Sequence, residues 1–336
     1  MQLSENISLK DKHTFHIQAK TNYWADFQSS DDLKILLSDK RFKEIPVFVI
    51  GSGSNLLFSG DFHGLLLHSA IDSLEIVCED SLSVLVRVGS GVIWDDLVAE
   101  TVKRGWSGAE NLSGIPGEVG ATPVQNIGAY GTEVGSLIVS VEALNRDSLR
   151  METFSHYDCQ FNYRDSIFKN DLKNKYVICH VTFCFSKVFE PNISYGDVSE
   201  RVMKIGEITL DNIRHTILKI RREKLPDPDV TGNAGSFFKN PVISSGQYQK
   251  LKETYPDIPG WKQDSGQVKV SAAWLIEKAG WKGGRFGNAG VHDKQALVLI
   301  NTGNATSTEI IGLSEIIMED VQKIFDIALH PEVLII

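Results

Sequence analysis

The stretch GSGSN at 51–55 follows directly on the apolar run PVFVI at 46–50. Gly51 and Gly53 let a backbone turn with its N–H groups converging, and Ser52, Ser54 and Asn55 add side-chain donors. Converging donors at a strand end suit a phosphate. They are also what a hairpin turn contains, and the five residues alone leave both readings open. Leu56 removes the third glycine of a GxGxxG turn, and the stretch lacks the GK[ST] of a Walker A loop.

A second Gly-rich element lies at 105–136, GWSGAENLSGIPGEVGATPVQNIGAYGTEVGS, which has neither a period of 2 nor one of 3.6. A run that long without regular structure is functional or disordered, and its Ile, Val, Leu, Trp and Tyr content argues for order. Within it, Gly117, Gly120, Gly128 and Gly131 supply turns, and Thr122, Gln125 and Asn126 supply donors. Ile115, Pro116, Ala121, Ile127 and Ala129 complete the candidate cradle. Two such elements in one region suit a dinucleotide such as FAD, which has two phosphates, a ribityl chain and a ring system to hold. A surface loop with turn glycines is the plain alternative.

Three further segments carry polar groups that need explaining. YRDS at 163–166 offers Arg164, the residue type that recognises a carboxylate in bidentate fashion, although a surface pair with Asp165 reads as well. GNAGSFFKNP at 232–241 combines small residues, two phenylalanines and the polar groups of Ser236, Lys239 and Asn240. Arg221, Arg222 and Lys224 precede it. They suit a diphosphate, or for the two arginines the C-terminal end of a helix dipole. In HPEVLII, Glu332 is either an exposed edge residue or a carboxylate entering a pocket.

The elements that must position these groups are legible from patterning. Residues 14–19 are expected as a strand, followed by a helix capped by Ser30 with Leu33, Leu36 and Leu37 on one face. PVFVI, LLF, GLLLHSA, LEIV and SVLVRVGSG are expected as strands, and Ile93–Lys103 as an amphipathic helix closed by Gly105. Strands are expected at about 138–144 and 176–186, with a turn or short helix started by Asp158 or Asn162 between them. A helix over 209–223 is stopped by the prolines of LPDPDV, the clearest boundary in the chain. Beyond it come a helix near 271–279, the strand ALVLIN, a long helix from about 307 to 326, and a closing strand HPEVLII.

The chain of 336 residues exceeds one ordinary packed core, and its 42% apolar and 23% charged composition is that of a soluble globular protein. A net charge of −9 argues against a phosphate-backbone binder while leaving room for a small anion held by local cations. No apolar run reaches membrane-span length and the N-terminus has no apolar signal core. Cys78, Cys159, Cys179 and Cys184 form no CxxC pair and are expected as buried, reduced thiols, with Cys179 and Cys184 on opposite faces of one strand.

GSGSN, IPGEVGATPVQNIGAYG, YRDS, SYGD, GNAGSFFKNP and HPEV together, in this order, resemble the UDP-N-acetylenolpyruvoylglucosamine reductase family over nearly the whole chain. His13 stands where the family often has asparagine, and Ser52 where it often has glycine or glutamate. The resemblance implies an α+β chain: an FAD-binding fold of the vanillyl-alcohol-oxidase type plus a C-terminal α/β substrate domain. Its expected parts are a first flavin subdomain at 1–70, joined by strand 328–336, a second at 71–222, and a substrate domain at 223–327. It implies non-covalent FAD in the cradle Gly51–Leu56 and along Ile115–Ala129, with no metal. The implied reaction has NADPH reduce the flavin, after which the enolpyruvyl ether of UDP-N-acetylglucosamine becomes UDP-N-acetylmuramate. Ser236 is then expected to donate a proton, with Arg164 and Glu332 stabilising the intermediate. Tyr195 of SYGD, Tyr163, Lys224 and Asn240 are expected to bind substrate, in the subtype whose tyrosine loop closes over it. A cytoplasmic monomer, binding neither nucleic acid nor membrane, completes the expectation. A Rossmann dehydrogenase is disfavoured by the missing GxGxxG, and a non-catalytic sensor by the presence of Arg164, Ser236 and Glu332.

Overall fold

Alternation writes the sheets. In the strand Ser83–Gly89, Val84, Val86 and Val88 are fully buried while Ser83, Leu85 and Arg87 between them are half-buried. The computed structural model describes residues 1–336, which divide into two compact units. The first comprises Met1–Ile7, Thr21–Ser52 and His63–Glu223; the second comprises Ser8–Lys20, Gly53–Phe62 and Lys224–Ile336.

In the first unit, a four-stranded sheet runs in the order Gln2–Ser8, Lys20–Phe27, Phe62–Ser69, Val47–Ile50, the last two being parallel. A five-stranded antiparallel sheet has the order Met151–Ser155, Ile138–Asn145, Tyr176–Ser186, Ser83–Gly89, Leu74–Glu79. One core joins this second sheet to the helix Trp94–Lys103 through Trp94, Leu97, Val98 and Phe183. Another packs the helix Ser30–Ser38 against the first sheet through Leu33, Leu36 and Phe27. Val198–Ile205 and Leu210–Lys224 are further helices, packed through Val202, Ile213 and Ile217.

The second unit holds a four-stranded sheet ordered Asn233–Ser236, Val298–Asn301, Ala289–Val291, Arg285–Phe286, and a three-stranded one ordered Val242–Ile243, Val268–Val270, Gly260–Lys262. Its core gathers Phe237 and Phe238, the helix Ser307–Phe325 and, from far upstream, Phe15, Ile17 and Leu57. The strand Leu334–Ile335 pairs in parallel with Leu56–Leu57.

Several expectations change. Residues 14–19 form no strand: the chain turns there, with His16 in the left-handed region at φ 54° and its ring bonded to the carbonyls of Lys10 and Pro228. The first helix is capped by Ser29, whose hydroxyl accepts from the Asp32 amide. The C-terminal strand is two residues, and Glu332 precedes it. Residues 8–20 and 53–62 cluster with the C-terminal third, so that both compact units are discontinuous in sequence. Cys78 is exposed, while Cys159 and Cys179 are buried and Cys184 half-buried; none is paired. Burial, assisted by nearby carboxylates, pushes the Cys159 and Cys179 thiols up to about 12, so both are inert near neutrality.

Candidate functional site

In the first unit the parallel strand Val47–Ile50 ends directly on Gly51 and Ser52, beside the long loop. The Ser52 hydroxyl donates to Glu118 Oε1 at 3.0 Å, so its hydrogen is spent within the protein. The Ser52 and Gly53 amides make no backbone hydrogen bond, which leaves main-chain N–H groups as the donors the turn can offer an anion. Those residues fit the diphosphate of FAD by this test.

The loop 105–136 is ordered by its own side chains. The Thr122 hydroxyl donates to the Val119 carbonyl. Asn126 donates to Glu133 and the Asn162 carbonyl and accepts from the Gly135 amide. These two side chains thus stabilise the loop. Gly120 is required for packing, since a Cβ there would lie 2.6 Å from Ser90 Cβ. Ile115, Ala129 and Ile127 belong to the core beneath the loop, whereas Pro116 and Ala121 are exposed. The Asn111 Nδ2 donates to Tyr130 and Asn192 carbonyls while its buried Oδ1 has no partner.

The start of the loop is clamped by two helices. Arg214 forms a bidentate pair with Asp95 at 2.6 and 2.8 Å, and the same carboxylate accepts the Gly114 amide at 2.6 Å. Burial would raise the Asp95 carboxyl, but Arg214 and the Gly114 amide outweigh it and hold it below its ordinary value. Arg221 Nε donates to the Gly114 carbonyl, tying its helix to the loop; Arg222 is exposed.

Arg164 sits in the left-handed region at φ 53°, and its guanidinium donates to the carbonyls of Asn126 and Gly128 while passing 5.4 Å from the Tyr163 ring centroid. Tyr195 is 50% exposed and meets Tyr130 edge-on at 5.9 Å between ring centroids. Asn192, three residues earlier, donates to the Gly131 carbonyl and Thr132 hydroxyl, tying the SYGD segment to the loop.

In the second unit Gly53 adopts φ +62°, and a Cβ there would lie 2.4 Å from the Lys12 carbonyl oxygen, so only glycine fits. Asn55 Nδ2 donates to the Glu332 carbonyl at 3.4 Å, and the Leu334 amide to the Asn55 carbonyl, joining the 53–56 segment to the chain end. Ser54 lies half-buried and Leu56 buried in the same segment. The strand Asn233–Ser236 bulges: Asn233 pairs with Ile300 and Ser236 with Val298, three steps against two. Gly235 takes φ +67° in the bulge, its amide held by Asn233 Oδ1. The Ser236 hydroxyl makes no hydrogen bond within the chain. The Glu332 amide donates to the Phe237 carbonyl at 2.7 Å, bringing residues nearly a hundred positions apart side by side. Asn240 Oδ1 accepts the Ala272 amide at 3.0 Å, and Lys224 is exposed at the end of its helix.

Sequence reasoning missed Asp95, Arg214, His68 and Asp26. His68 Nδ1 lies 2.7 Å from Asp26, and its Nε2 3.1 Å from Glu118. For His68 the available signal was a titratable residue in the otherwise largely apolar strand GLLLHSA. The clamp residues had none, being ordinary charges on helices.

Residues 227–336 match the family model for the UDP-N-acetylenolpyruvoylglucosamine reductase C-terminal domain, and residues 23–152 match an FAD binding domain. A UDP-N-acetylenolpyruvoylglucosamine reductase of Bacteroides fragilis is 44% identical over 331 residues, 98% of this chain and 99% of that one. The crystal structure of the Thermus caldophilus UDP-N-acetylenolpyruvylglucosamine reductase superposes with a TM-score of 0.70 at 22% identity, covering 100% of this chain and 99% of that one. A solvent-stable cholesterol oxidase superposes with a TM-score of 0.51 at 10% identity over 97% of this chain and 86% of that one, a likeness of fold alone. The fold is thus the FAD-binding fold of the vanillyl-alcohol-oxidase type with a reductase-family C-terminal domain.

Proposed function

Because the chain belongs to the UDP-N-acetylenolpyruvoylglucosamine reductase family, we propose that it reduces the enolpyruvyl ether of UDP-N-acetylglucosamine to UDP-N-acetylmuramate for peptidoglycan precursor synthesis. FAD is its cofactor and NADPH its electron donor, so it is an oxidoreductase. The observation that carries the reading is the backbone hydrogen bond from the Glu332 amide to the Phe237 carbonyl, which joins the Glu332 segment to the chain directly after Ser236.

Bound FAD supplies the hydride, drawn from NADPH. The substrate carries a double bond conjugated to a carboxylate, so hydride addition at the terminal carbon drives negative charge onto that carboxylate. Stabilising it needs preorganised positive charge and donors. Arg164 is the fixed cation for this task, its guanidinium held by two loop carbonyls. Glu332 acts as a neutral acid, since an ionised carboxylate would repel the developing charge. Ser236 donates the proton to the adjacent carbon. A hydroxyl suffices because that carbon is strongly basic.

Tyr195 closes over the substrate, while Tyr163, Lys224 and the Asn240 amide nitrogen bind it. The turn 51–56 and segment 115–129 hold FAD, with flavin binding assigned to residues 1–222 and substrate binding to the segment from 223. The enzyme acts as a cytoplasmic monomer; no helix is long and apolar enough to cross a membrane.

The purified protein should show a flavin absorption band that NADPH bleaches and the enolpyruvyl substrate restores without oxygen. A band that NADPH bleaches but the substrate leaves bleached would sink the substrate assignment, and a protein that takes up no FAD would sink the whole reading.

A further inference from the structure

His68 lies at the end of the strand Phe62–Ser69, paired in register with Ile50, one residue before the Gly51–Ser52 turn. Asp26, from the neighbouring strand Lys20–Phe27, faces its Nδ1 at 2.7 Å. Glu118, from the long loop, faces its Nε2 at 3.1 Å. Trp24 covers the ring at 5.5 Å between centroids and donates its indole N–H to the same Asp26 oxygen at 3.0 Å. The charged groups facing the ring are these two carboxylates, while the turn contributes Gly51 and Ser52.

Two carboxylates at the two ring nitrogens require both nitrogens to donate, which an imidazolium satisfies and a neutral ring does not. Glu118 is almost wholly buried, with one oxygen receiving the Ser52 hydroxyl and the other 3.2 Å from where a Cβ on Gly51 would stand. An uncompensated negative charge there would repel an anion docking on the turn amides.

We propose that His68 is a positioning residue of the flavin cradle: clamped between Asp26 and Glu118, it locks Glu118 onto the Ser52 hydroxyl and cancels that carboxylate's charge where the dinucleotide diphosphate docks. The proposal rests on the reading of the 51–56 turn as the FAD diphosphate cradle. Burial alone would favour the neutral ring, but the hydrogen bonds and charges of Glu118 and Asp26 outweigh it and raise the ring above its usual value. FAD affinity is therefore full below the ordinary histidine range and weakens as pH rises through the raised value.

The test is fluorescence titration of the deflavinated full chain with FAD from about pH 6 to about pH 9, across the histidine range. His68→Gln should weaken FAD binding about tenfold near neutrality and abolish its pH dependence, and His68→Gln combined with Glu118→Gln should recover most of the loss. Glu118→Gln alone should bind FAD at least as well as the wild type, with a flattened pH profile, which keeps the test open should His68→Gln fail to fold. An unchanged pH profile in Glu118→Gln, or no recovery in a folded double variant, would overturn the role of His68. If wild-type protein binds FAD no tighter than riboflavin, the cradle reading itself fails instead.

Discussion

Ser236 is the residue whose role separates most cleanly from folding, because its hydroxyl makes no hydrogen bond within the chain, so that its removal breaks none. Ser236→Ala should leave flavin bleaching by NADPH nearly intact. Flavin reoxidation by the enolpyruvyl substrate should slow by about a hundredfold or more, as expected for loss of a positioned acid. Stopped-flow absorbance resolves the two half-reactions, and equal losses in both would exclude the assigned role. Nothing in spacing or composition marks this serine; a lysine or carboxylate would be the generic choice. Its motif identifies it through the family, and the bulge at Gly235 gives that motif a physical reason. Arg164 is different: its residue type suited a carboxylate, or a surface pair with Asp165, but its anchoring to two loop carbonyls depends on a left-handed backbone that no pattern announces.

Between residue and unit stand the elements, and the Gly114 clamp shows what they add. Asp95 on one helix and Arg214 on another fix the long loop at Gly114, so Arg214→Ala should loosen the loop as well as cost about 1–3 kcal/mol for a partly buried pair. The Asp95 carboxyl lies below its unfolded value, so its contribution is present above the ordinary aspartate range and is lost as pH falls through the depressed value. The measurement is the acid side of the stability profile, whose slope should be shallower in Arg214→Ala than in the wild type because the variant has less of this contribution to lose. The Thr306 and Glu309 side chains form a reciprocal capping box on the long C-terminal helix, and Thr306→Ala should destabilise by about 1 kcal/mol in denaturant unfolding. Such helices were the most legible elements: Trp94–Lys103, Leu210–Lys224 and Ser307–Phe325 carry the 3.6-residue apolar period over many turns. The strand Met151–Ser155 and the helix Val198–Ile205 were missed because each is short, and the strand lies exposed at a sheet edge with no apolar alternation to betray it.

At the scale of the molecule, the chain crosses between its two compact units five times, at 7/8, 20/21, 52/53, 62/63 and 223/224. Proline-marked LPDPDV made the last crossing legible, because a helix must stop there. The earlier four were not, since membership of residues 8–20 and 53–62 is decided by long-range packing of Phe15, Ile17 and Leu57 against Phe237 and the C-terminal helix rather than by local pattern. Gly232 makes the dependence close: a Cβ there would lie 2.4 Å from the Phe15 carbonyl oxygen, and Asn301 Nδ2 donates to that oxygen at 2.9 Å. A fragment of residues 224–336 would therefore expose an apolar surface and leave Leu334–Ile335 without its strand partner. Expressed alone, it should lack cooperative thermal unfolding and be cut readily by protease. A fragment of 224–336 with native-like amide dispersion would mean that the upstream segments decorate a core already complete without them.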